Sequence, residues 1–313
     1  MALAIRWYDD SQTLRCLPPL FRLLAMYYRR SADPSTGDAP RGRYWHYRAA
    51  RLIQRLRLKD TARVRLRDVL VDVDLLDSRS TWVMNEVLHP APEASAIRSL
   101  LGPGDTFIDI GANHGSYSLM AASAVKAGRV LAFEPQPRLA ALLRRSFEAN
   151  GFAHAQVFEV ACADREGEAK FYVPRTMSGM GGLYETFSGG RGRRNFTVPL
   201  RRLDDLLAGG DLPGRVAIKL DVEGSELSAL RGAREFLRER LPLILMELNP
   251  SSARAAGVSI PELLEFLRQA GYDRLAEPED FPRTRPFDGA DTQRQRNVFI
   301  VPPPSDNPAR WHL

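Results

Sequence analysis

The feature that most constrains this chain is a unit that recurs from Thr106 onward: a short apolar run, a turn, then a helix-like stretch. "TFIDI" (Thr106–Ile110) is followed by a helical pattern from Ser116 to Val125. "RVLAFE" (Arg129–Glu134) is the next run. After it, "PRLAALLRRSFEANG" (Pro137–Gly151) opens on proline and stops at Asn-Gly, as a helix does. "AQVFEVAC" (Ala155–Cys162) and "GEAKFYV" (Gly167–Val173) read as strands, and "RVAIKLDVEG" (Arg215–Gly224) as a strand ending in two acids. "ELSALRGAREFLRER" (Glu226–Arg240) reads as one helix. "PLILMELNP" (Pro242–Pro250) is a strand, and "SIPELLEFLRQAGY" (Ser259–Tyr272) is a helix with a serine cap. "RNVFIVP" (Arg296–Pro302) closes the series. Near-continuous apolar strands alternating with helices predict an α/β fold: a mostly parallel, seven-stranded sheet with helices on both faces.

Ligands of such sheets bind beyond the carboxyl ends of the strands. Here those ends carry six acids: Asp109, Glu134, Asp164, Asp221, Glu223 and Glu247. A carboxylate at a buried strand end is costly unless something binds it. Six converging on one edge predict a site.

The first loop, Gly111-Ala112-Asn113-His114-Gly115, narrows the ligand. A dinucleotide loop needs glycine at its third place, where backbone approaches pyrophosphate. Asn113 stands there instead. Asp109, two residues before Gly111, would repel a phosphate and suits an amine. S-adenosylmethionine offers an amine, a sulfonium, a ribose diol and adenine, with no phosphate. Glu134, 23 residues past Gly111, is placed to accept the ribose hydroxyls. Asp164 follows the third strand, where it would accept from the adenine amino group. Gly111 and Gly115 would let the methionine end lie close.

"FIDIGANHGSYSLMAA", "VLAFEPQP", "VACADREGEAKFYV", "VPLRRLDDLL" and "IKLDVEGSELSALRGA" resemble, in order and spacing, the blocks of the FkbM-type methyltransferase family. The resemblance covers roughly residues 88–272 of a domain drawn at 68–302. It implies a Rossmann-like class I methyltransferase that uses S-adenosylmethionine and methylates hydroxyls on sugars or polyketide-like natural products. It carries cofactor roles to Asp109, Gly111, Asn113, Gly115 and Glu134, with Ala112, Pro135 and Ala163 beside them. The "DVEG" block carries over to Asp221, Glu223 and Gly224. His114 departs from the small apolar residue expected there, and reads either as a ligand contact or as a partly exposed loop histidine.

Methyl transfer is an in-line displacement, so the enzyme chiefly aligns an acceptor oxygen behind the methyl group. A base assists an alcohol acceptor. Asp221 is the expected base or acceptor-positioning group, with Glu223 beside it or capping the next helix. Lys219 is placed to pair with a carboxylate or bind an acidic acceptor. Asp221, Glu247 and Asn249 form a competing set of hard oxygen ligands for a divalent metal. The reading favoured for Glu247 and Asn249 is substrate contact or structure, with no metal.

Charge is uneven. Residues 1–67 hold 15 Arg/Lys against 5 Asp/Glu, and the whole chain carries +6. This basic N-terminal extension includes two helix-like segments, Leu14–Arg30 and Tyr44–Lys59, joined by the linker-like Ser31–Gly42. It reads as an extension packed on the core or a second subunit, or as a peripheral surface for anionic partners or membrane. Asp72 and Asp74 lie two apart in an alternating stretch, Val64–Asp77, and read as a solvated strand face. The Gly-, Ser- and Arg-rich connection Pro174–Phe196 reads as a lid or acceptor-recognition loop, or as a segment disordered without ligand, and its Arg191, Arg193 and Arg194 as contacts for an acidic acceptor or as solvated charges. Residues 303–313 read as a tail. No run of eighteen apolar residues predicts a membrane span, and no secretory leader is expected. With only two cysteines, Cys16 and Cys162, the expectation is a reducing, cytoplasmic setting. A nicotinamide oxidoreductase and a non-catalytic anion-binding module are the alternatives. No strong nucleic-acid signal is present.

Overall fold

The computed structural model describes residues 60–174, 177–184, 193–289, 294–304, 307 and 310–311, and the backbone of residues 6–8. The segments read as helices at Leu14–Arg30 and Tyr44–Lys59, the linker between them, and Arg191 lie outside the described residues.

Elements follow one another as β1 (Arg6–Tyr8), β2 (Thr61–Leu66), β3 (Val69–Asp74), α1 (Arg79–Leu88), α2 (Pro92–Leu100), β4 (Thr106–Ile110), α3 (Ser116–Val125), β5 (Arg129–Phe133) and α4 (Pro137–Ala149). Next come β6 (Ala155–Phe158), β7 (Ala161–Cys162), β8 (Gly167–Pro174), β9 (Arg193–Arg201), α5 (Leu203–Leu207), β10 (Val216–Leu220), α6 (Glu226–Arg231) and α7 (Arg234–Arg240). The chain closes with β11 (Leu243–Leu248), α8 (Pro250–Ala255), α9 (Ile260–Gln269), β12 (Arg274–Ala276), β13 (Arg285–Pro286) and β14 (Arg296–Val301). Among the described residues, no helix is long and apolar enough to cross a membrane.

The central sheet runs β13-β12-β14-β11-β10-β4-β5-β6. Strands β6, β5, β4, β10 and β11 are parallel neighbours, and β14 enters antiparallel to β11. The sheet is mostly parallel, as expected, and has eight strands, one more than the sequence suggests: the short β12 and β13 are additional, and β8 lies outside it. The order reverses beside β4, whose end is thus a crevice for ligands.

Alternation along β4 sorts the core. Ile108 and Ile110 pack in one layer with Phe133, Ile218 and Leu220. Phe107 faces the other layer with Leu119 and Leu143. Each fully buried side chain of this size contributes about 1.5–3 kcal/mol.

Three expectations change. "AQVFEVAC" is not one strand: β6 stays in the main sheet, while β7 joins β9 and β8 in a separate three-stranded sheet. Glu226–Arg240 is two helices, because a Cβ on Gly232 would sit 1.9 Å from the Ala163 carbonyl oxygen. That close approach fixes a turn where the helical pattern runs on.

Asp72 and Asp74 are buried, not solvated. Arg63 and Arg145 reach Asp72 at 2.7 and 3.3 Å, and Arg138 reaches Asp74 at 3.0 Å. Arg138 and Arg145 belong to α4, so these pairs bolt the hairpin β2–β3 to a helix far along the chain. The boundary drawn at residues 67 and 68 falls in the turn of this hairpin, and residues 6–8 extend its sheet as a strand.

Candidate active site

A cavity of about 470 Å³ opens at the carboxyl ends of β4, β5, β10 and β11. Its floor is the loop after β4. Gly111 and Gly115 both take φ 83°, and Asn113 takes φ 53°. The glycines are needed for chain packing: a Cβ on Gly111 would lie 2.0 Å from the Asp221 carbonyl oxygen, and one on Gly115 2.2 Å from Leu143. Gly111 and Ala112 donate their N–H groups to the Phe133 carbonyl at 2.9 and 3.0 Å.

Glu134 closes this loop onto β5. Its Oε2 accepts the Asn113 N–H at 2.7 Å and its Oε1 the Gln136 N–H at 2.8 Å. Burial pushes the carboxyl up to about 7, against the pull of the two N–H donors.

His114 is fully buried. Its Nδ1 lies 2.8 Å from Asn113 Oδ1 and its Nε2 3.1 Å from Ser80 Oγ. Burial holds it below the usual imidazole range, so it is neutral at pH 7. Asn113 is also within hydrogen-bond distance of Ser178, whose N–H bonds Asp77 and whose carbonyl accepts from Gln136. The short turn Ser178–Met180 is thereby strapped over the loop.

The end of β10 supplies the charges. Lys219 Nζ lies 3.2 Å from Asp221 Oδ2 and 3.9 Å from Asp109 Oδ1. Burial alone would lower the Lys219 pKa, but Asp221 and Asp109 outweigh it and keep the ammonium charged. Tyr117 presents its ring 5.3 Å from the same ammonium. Asp221 keeps 43% of its side-chain surface exposed. Glu223, at φ 52°, is pushed up to about 8 by burial, then by Asp221 and Glu247. A helix cap is present, but it is Glu226 that accepts from the N–H groups of Val222 and Gly224, not Glu223.

The description "Methyltransferase FkbM domain" matches residues 109–274, more than half of the chain. The chain belongs to this family. The AMB antimetabolite synthetase AmbE of Pseudomonas aeruginosa is 28% identical over 210 residues, 56% of this chain and 10% of AmbE. The 2-O-methyltransferase NoeI of Sinorhizobium fredii is 28% identical over 194 residues, 58% of this chain and 76% of NoeI. Among solved structures, the methyltransferase FkbM from Methylobacillus flagellatus KT aligns with a TM-score of 0.41 and 20% identity. That alignment covers 72% of this chain and 55% of the other.

In this FkbM methyltransferase, ten expected site residues line the cavity. They are Gly111, Ala112, Asn113, His114, Glu134 and Pro135, and on the β10–β11 side Lys219, Asp221, Glu223 and Glu247. Five do not. Asp109 is fully buried beneath Lys219, its register partner on β10, and Ser118 donates to it at 2.5 Å. Gly115 is filled over by Leu143. Ala163 and Asp164 follow β7 in the separate sheet, and Asp164 pairs with Arg165 at 3.3 Å. Asn249 is the N-cap of α8, its side chain accepting from Ser251 and Ser252.

Asn249 is engaged in that cap, and Glu247 accepts from Gln295 at 2.6 Å and from Asn249 at 3.2 Å. Among the described residues, no three His, Cys, Asp or Glu side chains are grouped to hold a metal. Sequence reasoning missed Arg79, Glu86, Tyr117 and Gln136, all of which line the cavity, whereas Ser178 belongs to the connection Pro174–Phe196 read as a lid or acceptor-recognition loop. Gln136, next to "FEP", and Tyr117, two residues past Gly115, carried a local signal. The others arrive through tertiary packing.

Proposed function

We propose that this enzyme uses S-adenosylmethionine to methylate a hydroxyl on a sugar or small natural product. The donor set fits that cofactor. The cavity wall is acid-rich, and Asn113 occupies the place where a dinucleotide would require bare backbone. Each Glu134 oxygen accepts one N–H and retains a lone pair for a ribose hydroxyl. The Gly111–Ala112 backbone and Pro135 would bracket the rest. When bound, S-adenosylmethionine supplies a methyl group on a sulfonium, open to displacement by oxygen.

The observation that carries the reading is Asp221. It is half-exposed to the cavity, and Lys219 holds one of its oxygens. The other is left to accept a proton from an alcohol. Lys219 orients the carboxylate. The relationship to NoeI, named a 2-O-methyltransferase, supports an oxygen acceptor.

The test is titration with S-adenosylhomocysteine and with NAD, followed by a labelled-methyl assay against sugar nucleotides and glycolipid extracts. Binding of S-adenosylhomocysteine, no binding of NAD, and a product whose formation falls in Asp221→Asn are expected. Binding of NAD alone would replace this reading with an oxidoreductase.

A further inference from the structure

The cavity extends well beyond the ends of the strands. Ser116, Met120 and Ser123 all line it, and their spacing places them on one face of α3. At 1.5 Å per residue that face carries the cavity about 10 Å down the helix, away from Asp221. The same spacing recurs on the facing helices. Arg79, Val83 and Val87 line it from α1, and Ala94 and Arg98 from α2. The turn of β2–β3 adds Arg67, Asp68 and Val69.

This channel changes character along its length. Near Asp221 it is polar: Ser116 donates to Glu86 at 2.6 Å, Arg79 pairs with Glu86, and Glu93 at the start of α2 accepts from Asn297. Its middle is apolar, formed by Val83, Val87, Ala94 and Met120. Its outer end is exposed and carries Arg98 and Arg67 against the single acid Asp68. Arg67 bonds the Leu88 carbonyl. Among the described residues neither arginine forms an ion pair.

We infer that the outer channel binds the tail of the methyl acceptor, and that this acceptor is an amphiphile: a hydroxyl at Asp221, an apolar segment along α3, and an anionic group at Arg98 and Arg67. The inference rests on the methyl-transfer reading and names its substrate class. The order of chemistry supports it. A free sugar would leave the apolar middle unfilled, and a purely apolar acceptor would make no use of the arginines at the outer end.

The test uses calorimetric titration of the full chain with decyl phosphate, decanoate and 1-decanol, each kept below its aggregation concentration. Wild type, Arg98→Ala and Ala94→Phe are compared, each also titrated with S-adenosylhomocysteine. Wild type is expected to bind at least one of the two anions fivefold or more tighter than 1-decanol. The two anionic arms tell phosphate from carboxylate. Arg98→Ala removes that preference, and Ala94→Phe, which fills the channel, weakens all three amphiphiles. S-adenosylhomocysteine affinity stays the same throughout. Equal binding of decanol and both anions by wild type, or an anion preference that survives in Arg98→Ala, would overturn the inference. Arg98 is exposed, so this variant keeps the test intact if Ala94→Phe does not fold. Failure of S-adenosylhomocysteine to bind any of the three chains counts against the methyl-transfer reading alone.

Discussion

The Asn113 N–H and the Glu134 carboxylate are joined at 2.7 Å, which makes the loop after β4 and the end of β5 one unit. Glu134 also holds the Gln136 N–H, so one side chain satisfies two donors and still faces the cavity. Glu134→Gln keeps the shape but turns an amide NH₂ toward one of those donors. Affinity for S-adenosylhomocysteine is expected to drop at least about tenfold, and stability to fall by about 1–3 kcal/mol. Calorimetry and urea unfolding measure the two effects separately.

Lys219 stands between two acids, one fully buried. Lys219→Met leaves Asp109 with Ser118 as its remaining partner and should cost about 3 kcal/mol or more. Pairing it with Asp109→Asn removes the stranded charge. A double variant no more stable than Lys219→Met would show that the two residues are not coupled.

Glycines 111 and 151 share a left-handed backbone but differ in surroundings. A Cβ at Gly111 meets the Asp221 carbonyl at 2.0 Å, whereas one at Gly151 meets nothing within 4 Å. Gly151→Ala should cost about 1–2 kcal/mol from backbone conformation alone. Gly111→Ala should cost well over that, as β4 and β10 are forced apart. Comparable denaturation midpoints for the two variants would contradict this account.

Glu223 gives the fold a pH dependence of known sign. Its folded pKa, about 8, lies above the ordinary 4.5, so the native state holds a proton that the unfolded chain has released. Stability from this group is full below about pH 4.5 and is lost as pH rises toward 8. Glu223→Gln is expected to lose less melting temperature than wild type between pH 5 and pH 8. Parallel melting curves for the two proteins across that range would refute the assignment.

Much of this was legible in the sequence where local chemistry decides. Helix α3 begins and ends where the pattern placed it, and Ser259 caps α9 by accepting from the Glu262 N–H. "GANH", "FEP" and "DVEG" all reach the cavity. What failed was reading a strand end as an address. Asp109 lies one residue from the mouth, but Lys219 and Ser118 seal it below the cavity surface. Asp164 follows a strand that has left the main sheet. Asp72 and Asp74 looked solvated because the two arginines that tie them to α4, Arg138 and Arg145, lie more than sixty residues later. The acceptor end was invisible for the same reason, being assembled from α1, α2 and a hairpin turn with no shared motif.

Glu223 holds its backbone in a conformation that glycine or asparagine adopts at less cost. A mutant library of this chain screened only for heat resistance would therefore accumulate those two residues at position 223. Such clones would also lose the group whose titration ties the fold's stability to pH, so heat resistance and pH response are set at a single peptide unit.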